Sequence, residues 1–499
     1  MRRRYSAAMT LPEYDSWDAI ACAEKVRSGE VSPSDLLDAA VERIDARNPA
    51  LNAVVHRLTD RARERVGRLP EGPLRGVPFL VKDLKLTIEG TPTTNSTKLR
   101  SAHISDVTSV LAKRYEDAGL MVLGKTNTPE FGIMGITEPD TRGPCRNPWN
   151  PDHTPGGSSG GAGSAVAARM VPVAHGGDGG GSIRIPASAC GLFGLKPTRG
   201  RVSMAPLMGE AWNGFVQEHV LTRSVRDSAL LLDLTGQPMP GDPYAAPAKE
   251  RPFADEVGRP LPSQRIAWTT EPLFAGEAHP DTTAAVHDAV ALLEGLGHEL
   301  VEARPPFPRE DLVRAYFRVV ASHSAWFVDQ TAAEAGKRPS ASDFEAPTWL
   351  LAQIGWKTRA SELVDASVTI QKASRAVGDW FETTPLFLSP TLAGPPVRVG
   401  ELDLKQGERL QLGALRALNS RRLLDVALNE LGTNALAPTP NTQLFNMTGQ
   451  PAMSVPLFWN DAGLPIGVQV AAPFGGEGLL FQLASQLEQA RPWAGRSPV

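Results

Sequence analysis

His175-Gly176-Gly177-Asp178-Gly179-Gly180-Gly181-Ser182-Ile183-Arg184-Ile185-Pro186 sits just downstream of a second Gly/Ser cluster, Gly156-Gly157-Ser158-Ser159-Gly160-Gly161. Between them the small residues Ala162 to Ala168 predict a short helix, and Val171 to Ala174 a short strand. Glycine lets a backbone turn sharply and approach a substrate closely. A serine hydroxyl becomes a useful nucleophile only when a base takes its proton, and the oxyanion that follows needs donors already aimed at it. Gly179, Gly180 and Gly181 place backbone N–H groups of that kind directly before Ser182. A flexible linker has the same composition, but apolar runs bracket both clusters too tightly for one. The residues alone leave two nucleophiles open. Ser182 is one; Ser159 is the other, because Gly157-Ser158-Ser159-Gly160-Gly161 also fits the G-x-S-x-G elbow. That elbow needs a later acid and histidine, for which His298 and His323 are candidates in unpersuasive surroundings.

Outward from this core, the apolar run Val77 to Val81 predicts a buried strand ending at Lys82, and a helix from Ser109 to Ala118 leads into a second run, Leu120 to Leu123. The pattern repeats at Arg265 to Trp268, then a helix from Asp281 to Leu296 ended by Gly297, then a strand near Leu300. Strand–helix–strand alternation predicts parallel pairing with helices on both faces. Ser32-Pro33-Ser34-Asp35 predicts a capped helix start, and Asn48-Pro49 its stop. Gln237 to Pro262 reads as a connector. Strands are expected at Leu386 to Leu388, Met453 to Leu457 and Ile466 to Val470, and a last helix around Leu479 to Leu487. The expected organisation is a single α/β domain over 1–499, with its signature core at 70–235 and a helical excursion at 300–380 beside the substrate pocket.

The chain has 499 residues, 51 Lys+Arg and 55 Asp+Glu, for a net charge of −4. That balance speaks against broad nucleic-acid binding. Cys22, Cys145 and Cys190 are three, sparse and without metal-ligand spacing, which fits a reducing cytoplasm rather than a disulfide framework. No apolar stretch follows Arg2-Arg3-Arg4, so neither a signal peptide nor a membrane span is expected. No glycine cluster ends in the Gly-Lys-Ser/Thr of a phosphate loop, and the nine histidines are scattered without zinc spacing.

Taken together, the two Gly/Ser clusters, Cys190-Gly191, Gly194-Leu195-Lys196-Pro197-Thr198, Gly76-Val77-Pro78-Phe79-Leu80-Val81-Lys82-Asp83 and Gly124-Lys125-Thr126-Asn127-Thr128-Pro129-Glu130-Phe131 resemble the amidase signature family. Phe445-Asn446-Met447-Thr448-Gly449-Gln450 and Leu464-Pro465-Ile466-Gly467-Val468-Gln469 extend the resemblance over nearly the whole chain. It implies an α/β/α fold around a mixed central sheet and hydrolysis of amide bonds through an acyl-enzyme. It places the nucleophile at Ser182, a bridging serine after a cis peptide at Ser158, the base at Lys82 and the oxyanion hole at Gly179, Gly180 and Gly181. Ser159 then packs or bonds to backbone, and Asp178 and Arg184 brace the loop. Ile133 and Met134 are candidate substrate-binding residues, with Tyr316 and Phe317 on the far wall. No cofactor or metal is implied. The partner is a small amide or carbamate such as a nylon-type oligomer, urethane, anilide or ester, with a homodimer as the expected assembly. Within the family the chain most resembles the 6-aminohexanoate cyclic-dimer hydrolase branch. The A subunit of a tRNA-dependent amidotransferase shares the same triad and is the alternative. Two departures from the family pattern stand out. Leu84 replaces an asparagine, and the extra glycine in His175-Gly176-Gly177-Asp178 predicts a looser oxyanion loop. As a base, Lys82 has to be neutral. Burial must therefore pull its pKa from about 10.4 towards 7, a cost of about 4 kcal/mol.

Overall fold

The computed structural model describes residues 11–403, 420–424, 426, 428 and 435–498; the Arg2-Arg3-Arg4 segment lies outside them. Its centre is a mixed sheet of eleven strands among the described residues, in the order β1-β3-β2-β4-β6-β5-β10-β11-β9-β7-β8, flanked by helices. The left half comprises β1 (Val54–Arg57), β2 (Pro78–Lys82), β3 (Met121–Thr126), β4 (Val173–Asp178), β5 (Phe193–Lys196) and β6 (Gln217–Thr222). The right half comprises β7 (Arg265–Trp268), β8 (Glu299–Glu302), β9 (Leu386–Pro390), β10 (Ala452–Trp459) and β11 (Pro465–Ala471).

Parallel pairing is confined to two patches. In one, β2 lies between β3 and β4; in the other, β7 lies between β8 and β9. Both are the strand–helix–strand units legible in the sequence, with helices Val110–Asp117 and Pro280–Gly295 as their crossovers. All other pairings are antiparallel, which the alternation did not predict. Every residue of β2, β3, β4, β5 and β6 is buried, and this is the part of the sheet that carries the Gly/Ser clusters.

The helix Pro33–Leu51 begins as expected, with Ser32 and Asp35 forming a reciprocal capping box. It does not stop at Asn48-Pro49. Pro49 lies inside the last turn, and the helix ends at Asn52, in a left-handed conformation with φ 49°. A proline that late forfeits one hydrogen bond without breaking earlier turns. The Asn48 amide is used elsewhere: its Oδ1 accepts from the backbone N–H groups of Ala53 and Val54 at 2.9 and 2.7 Å, setting the start of β1. Three helices, Arg309–Glu334, Ala346–Lys357 and Ala360–Phe381, occupy the stretch read as a helical excursion. Among the described residues no helix is long and apolar enough to cross a membrane.

Candidate active site

Lys82 is the last residue of β2, in the middle of the parallel patch, and is only 1% exposed. Its Nζ donates to Ser158 Oγ at 2.7 Å and lies 3.4 Å from the Gly177 carbonyl oxygen. Burial pulls the Lys82 amine down to about 7; the Lys85 charge adds to this, while Glu218 and Asp178 oppose it. A lysine that serves as a base needs a shift of that size.

The peptide Gly157-Ser158 is cis. It turns the two serines to different partners. Ser158 faces Lys82, whereas Ser159 Oγ donates to the Gly177 carbonyl at 3.4 Å and accepts from the Gly177 N–H at 3.3 Å. The Ser159 N–H in turn donates to the Ser182 carbonyl at 3.3 Å. Ser159 therefore laces the two Gly/Ser clusters together through backbone contacts, and Ser182, half-buried, is held beside Ser158. Neither histidine offered for the Ser159 elbow serves it. His298 is bonded to Gln264 and Gln486, and His323 to Asn213.

Asp178 and Arg184 do brace the loop, and the brace is larger than the sequence indicated. Asp178 accepts from the N–H groups of Gly181 at 2.7 Å and Ile183 at 3.2 Å, and from Arg184 Nε and a terminal guanidinium nitrogen at 3.0 and 2.9 Å. Arg184 also donates to Gln469 and Asn446, both at 2.6 Å. Burial alone would raise the Asp178 carboxyl, but the Arg184 charge and these hydrogen bonds outweigh it and hold it at about 2. One detail departs from expectation: the Gly181 N–H is turned onto Asp178, so in this structure it fixes the loop, and Gly179 and Gly180 stand closest to a free donor role.

The loop is not loosened by its extra glycine. A Cβ at Gly177 would lie 2.3 Å from Glu218 Oε2, so the missing side chain makes room for a buried carboxylate. Glu218 Oε2 pairs with His175 Nε2 at 3.0 Å, and His175 Nδ1 accepts from the Lys82 backbone N–H at 3.4 Å. Because Nδ1 accepts, the ring proton belongs on Nε2 and is donated to Glu218. Burial lowers the pKa of His175 against the pull of Glu218, in keeping with a neutral ring. This Glu218–His175–Lys82 strut was missed in the sequence; only the chance company of a histidine with a glycine run hinted at it.

Close approach explains other glycines. A Cβ on Gly180 would meet Tyr316 Oη at 2.3 Å, so the Tyr316 ring closes over the loop. One on Gly132 would lie 2.5 Å from Leu84 Cδ2 and 3.1 Å from Ser158 Oγ, which puts Leu84 against the bridging serine. Ile133 follows Gly132 and packs against the apolar clusters under Phe131 and Tyr316. Met134 instead lines a hollow of about 60 Å³ with Gly156 and Ile185. A larger cavity of about 520 Å³ opens on the other side, lined by Lys85, Met204, Met208, Glu218 and Phe327 among others. Lys125 and Lys196 are structural, donating to the carbonyls of Leu86 and Pro197 at 2.9 and 2.7 Å.

The family model described as Amidase matches residues 35–481. A 6-aminohexanoate-cyclic-dimer hydrolase of Pseudomonas sp. (strain NK87) is 38% identical over 496 residues, 98% of each chain. A solved structure of a 6-aminohexanoate cyclic dimer hydrolase complexed with substrate superposes with TM-score 0.89 at 36% identity, covering 97% of this chain and 99% of that one. The A chain of the glutamyl-tRNA(Gln) amidotransferase of Thermotoga maritima, at 24% identity and TM-score 0.72 over 97% of both chains, shares the fold.

Proposed function

The chain belongs to the amidase signature family, and on that premise we propose that it hydrolyses amide bonds by a Ser182–Ser158–Lys82 relay. Ser182 Oγ attacks the amide carbonyl carbon. Ser158 takes the Ser182 proton as it passes its own to Lys82 Nζ. The N–H groups of Gly179 and Gly180 hold the oxyanion, with the Gly181 N–H turned back onto Asp178 to keep them aimed. Collapse of the tetrahedral intermediate expels the amine, which takes the proton back along the relay. Water, deprotonated by the same route, then releases the acid from Ser182.

One observation carries this reading: a fully buried lysine, pulled by burial to about 7, in a 2.7 Å hydrogen bond with the serine beside Ser182. A neutral amine at physiological pH is the property a base needs. The substrates this mechanism admits are amides of the 6-aminohexanoate type, as in the relatives, and by the same acyl transfer anilides, carbamates and esters. The likeness to the amidotransferase chain supports the fold and carries no argument for tRNA. Turnover of a chromogenic anilide tests the assignment. It should vanish in Ser182→Ala and persist in Ser159→Ala; full activity in Ser182→Ala would refute it.

A further inference from the structure

The cavity of about 520 Å³ has no role in the relay, yet it is built against it. Lys85 follows Leu84, which touches the position beside Ser158. The Lys85 Nζ lies 5.1 Å from the centre of the Phe327 ring, and Phe327 stacks on Phe131 at 5.9 Å, one residue before Gly132. The cavity thus begins one side chain away from the reacting serines. Its mouth is apolar: Leu207 and Trp326 are 46% and 49% exposed, and Met204 and Met208 continue the lining inward.

Lys85 is half-buried in this wall and holds a left-handed backbone at φ 60°, a conformation that costs a non-glycine residue about 1–2 kcal/mol. Such outliers are kept where the side chain's aim matters. Among the described residues it has no carboxylate within ion-pair distance. The acids of the cavity are otherwise placed. Glu218 is bonded to His175, Glu334 to Arg100, and Asp106 is exposed. A half-buried cation facing an apolar channel without a counter-charge favours an anionic ligand.

We propose that this cavity receives the far arm of the substrate, an aliphatic chain ending in a carboxylate, and that Lys85 selects that arm. The proposal rests on the amidase reading for its reaction but not for its binding. Methylenes lie along Met204, Met208 and Trp326, and the carboxylate meets the Lys85 ammonium above the Phe327 ring. Burial lowers Lys85 to about 8, with Glu218 opposing, so the ammonium form prevails at neutral pH. Lys85 is here a specificity residue, remote from the bond broken.

The test compares two amides of equal chain length, 6-acetamidohexanoate and N-hexylacetamide. The intact protein should favour the carboxylate in kcat/KM by about ten- to a hundredfold, mostly through KM. The ratio should collapse in Lys85→Met and survive largely in Lys85→Arg. Lys85→Met also removes a charge that depresses Lys82, but that acts on both substrates alike and cancels in the ratio. An unchanged ratio in Lys85→Met overturns the proposal. Binding separates this outcome from a failure of the amidase reading. By calorimetry on Ser182→Ala protein, 6-acetamidohexanoate should bind at least tenfold tighter than to the Ser182→Ala, Lys85→Met double variant. Equal affinities overturn the proposal whether or not the intact protein turns over any amide.

Discussion

A proton can leave Ser182 by the proposed route only when the Lys82 amine is empty. Its pKa, lowered by burial to about 7, fixes the sign of the pH dependence. kcat/KM for an amide should rise about tenfold per pH unit below 7 and level off above it. In Lys85→Met the inflection should move upward, because a neighbouring positive charge that disfavours protonation is gone. A profile flat from about pH 5 to 9 would remove Lys82 as the base. Gly180 gives a second test at this scale. The methyl of Gly180→Ala would strike Tyr316 Oη and push the donor loop off its aim. Displacements near 1 Å cost about a hundredfold in rate. Adding Tyr316→Phe, which deletes the obstructing oxygen, should recover part of that loss in steady-state assays; no recovery would place the obstruction elsewhere.

Four elements are pinned through one buried knot. Asp178 ends β4, Arg184 opens the helix Arg184–Cys190, Asn446 lies on the helix Gln443–Thr448, and Gln469 lies on β11. Arg184→Met would strand the Asp178 carboxylate in the core. Loss of one partner of a buried pair costs about 3–5 kcal/mol, which should appear as a lower urea midpoint at pH 7. The same carboxylate contributes to acid stability. Its folded pKa, about 2, lies below the ordinary 3.8, so its contribution is complete above about pH 4 and is lost as pH falls towards 2. What sequence reading could reach at this scale followed from local chemistry. The capping box at Ser32, the strand ending at Lys82 and the strand Arg265–Trp268 are written in neighbouring residues. Strands β5 and β6 went unseen, because Gln217–Thr222 carries a glutamine, a glutamate and a histidine whose burial depends on partners far along the chain. The three residues of the relay were readable because two glycine clusters flag them. Glu218 and Lys85 carry no such flag, and only the folded sheet brings them to the site.

The whole molecule joins its chemical centre to the helices Arg309–Glu334 and Ala346–Lys357 through a pair of acids. Glu130, next to Phe131, accepts from the Glu345 N–H at 2.8 Å, and Glu345 precedes the second of those helices and accepts from the Asp140 N–H at 2.8 Å. Burial, then the nearness of Glu130, raises the Glu345 carboxyl from 4.5 to about 7. A raised acid binds its proton more tightly folded than unfolded. This contact therefore gains stability as pH falls from about 7 towards 4.5. Glu345→Gln should flatten the melting temperature between pH 5 and 8 by raising its value at the alkaline end. A variant whose melting curve kept the parent's pH dependence would show that Glu345 is not its source.

All three sulfhydryl groups, Cys22, Cys145 and Cys190, are buried, and burial raises the first two to about 12. The folded chain is thus silent towards maleimides. A single cysteine engineered at Leu207, on the cavity mouth, would take a fluorophore without background, and any slow labelling of the parent would clock the opening of its core.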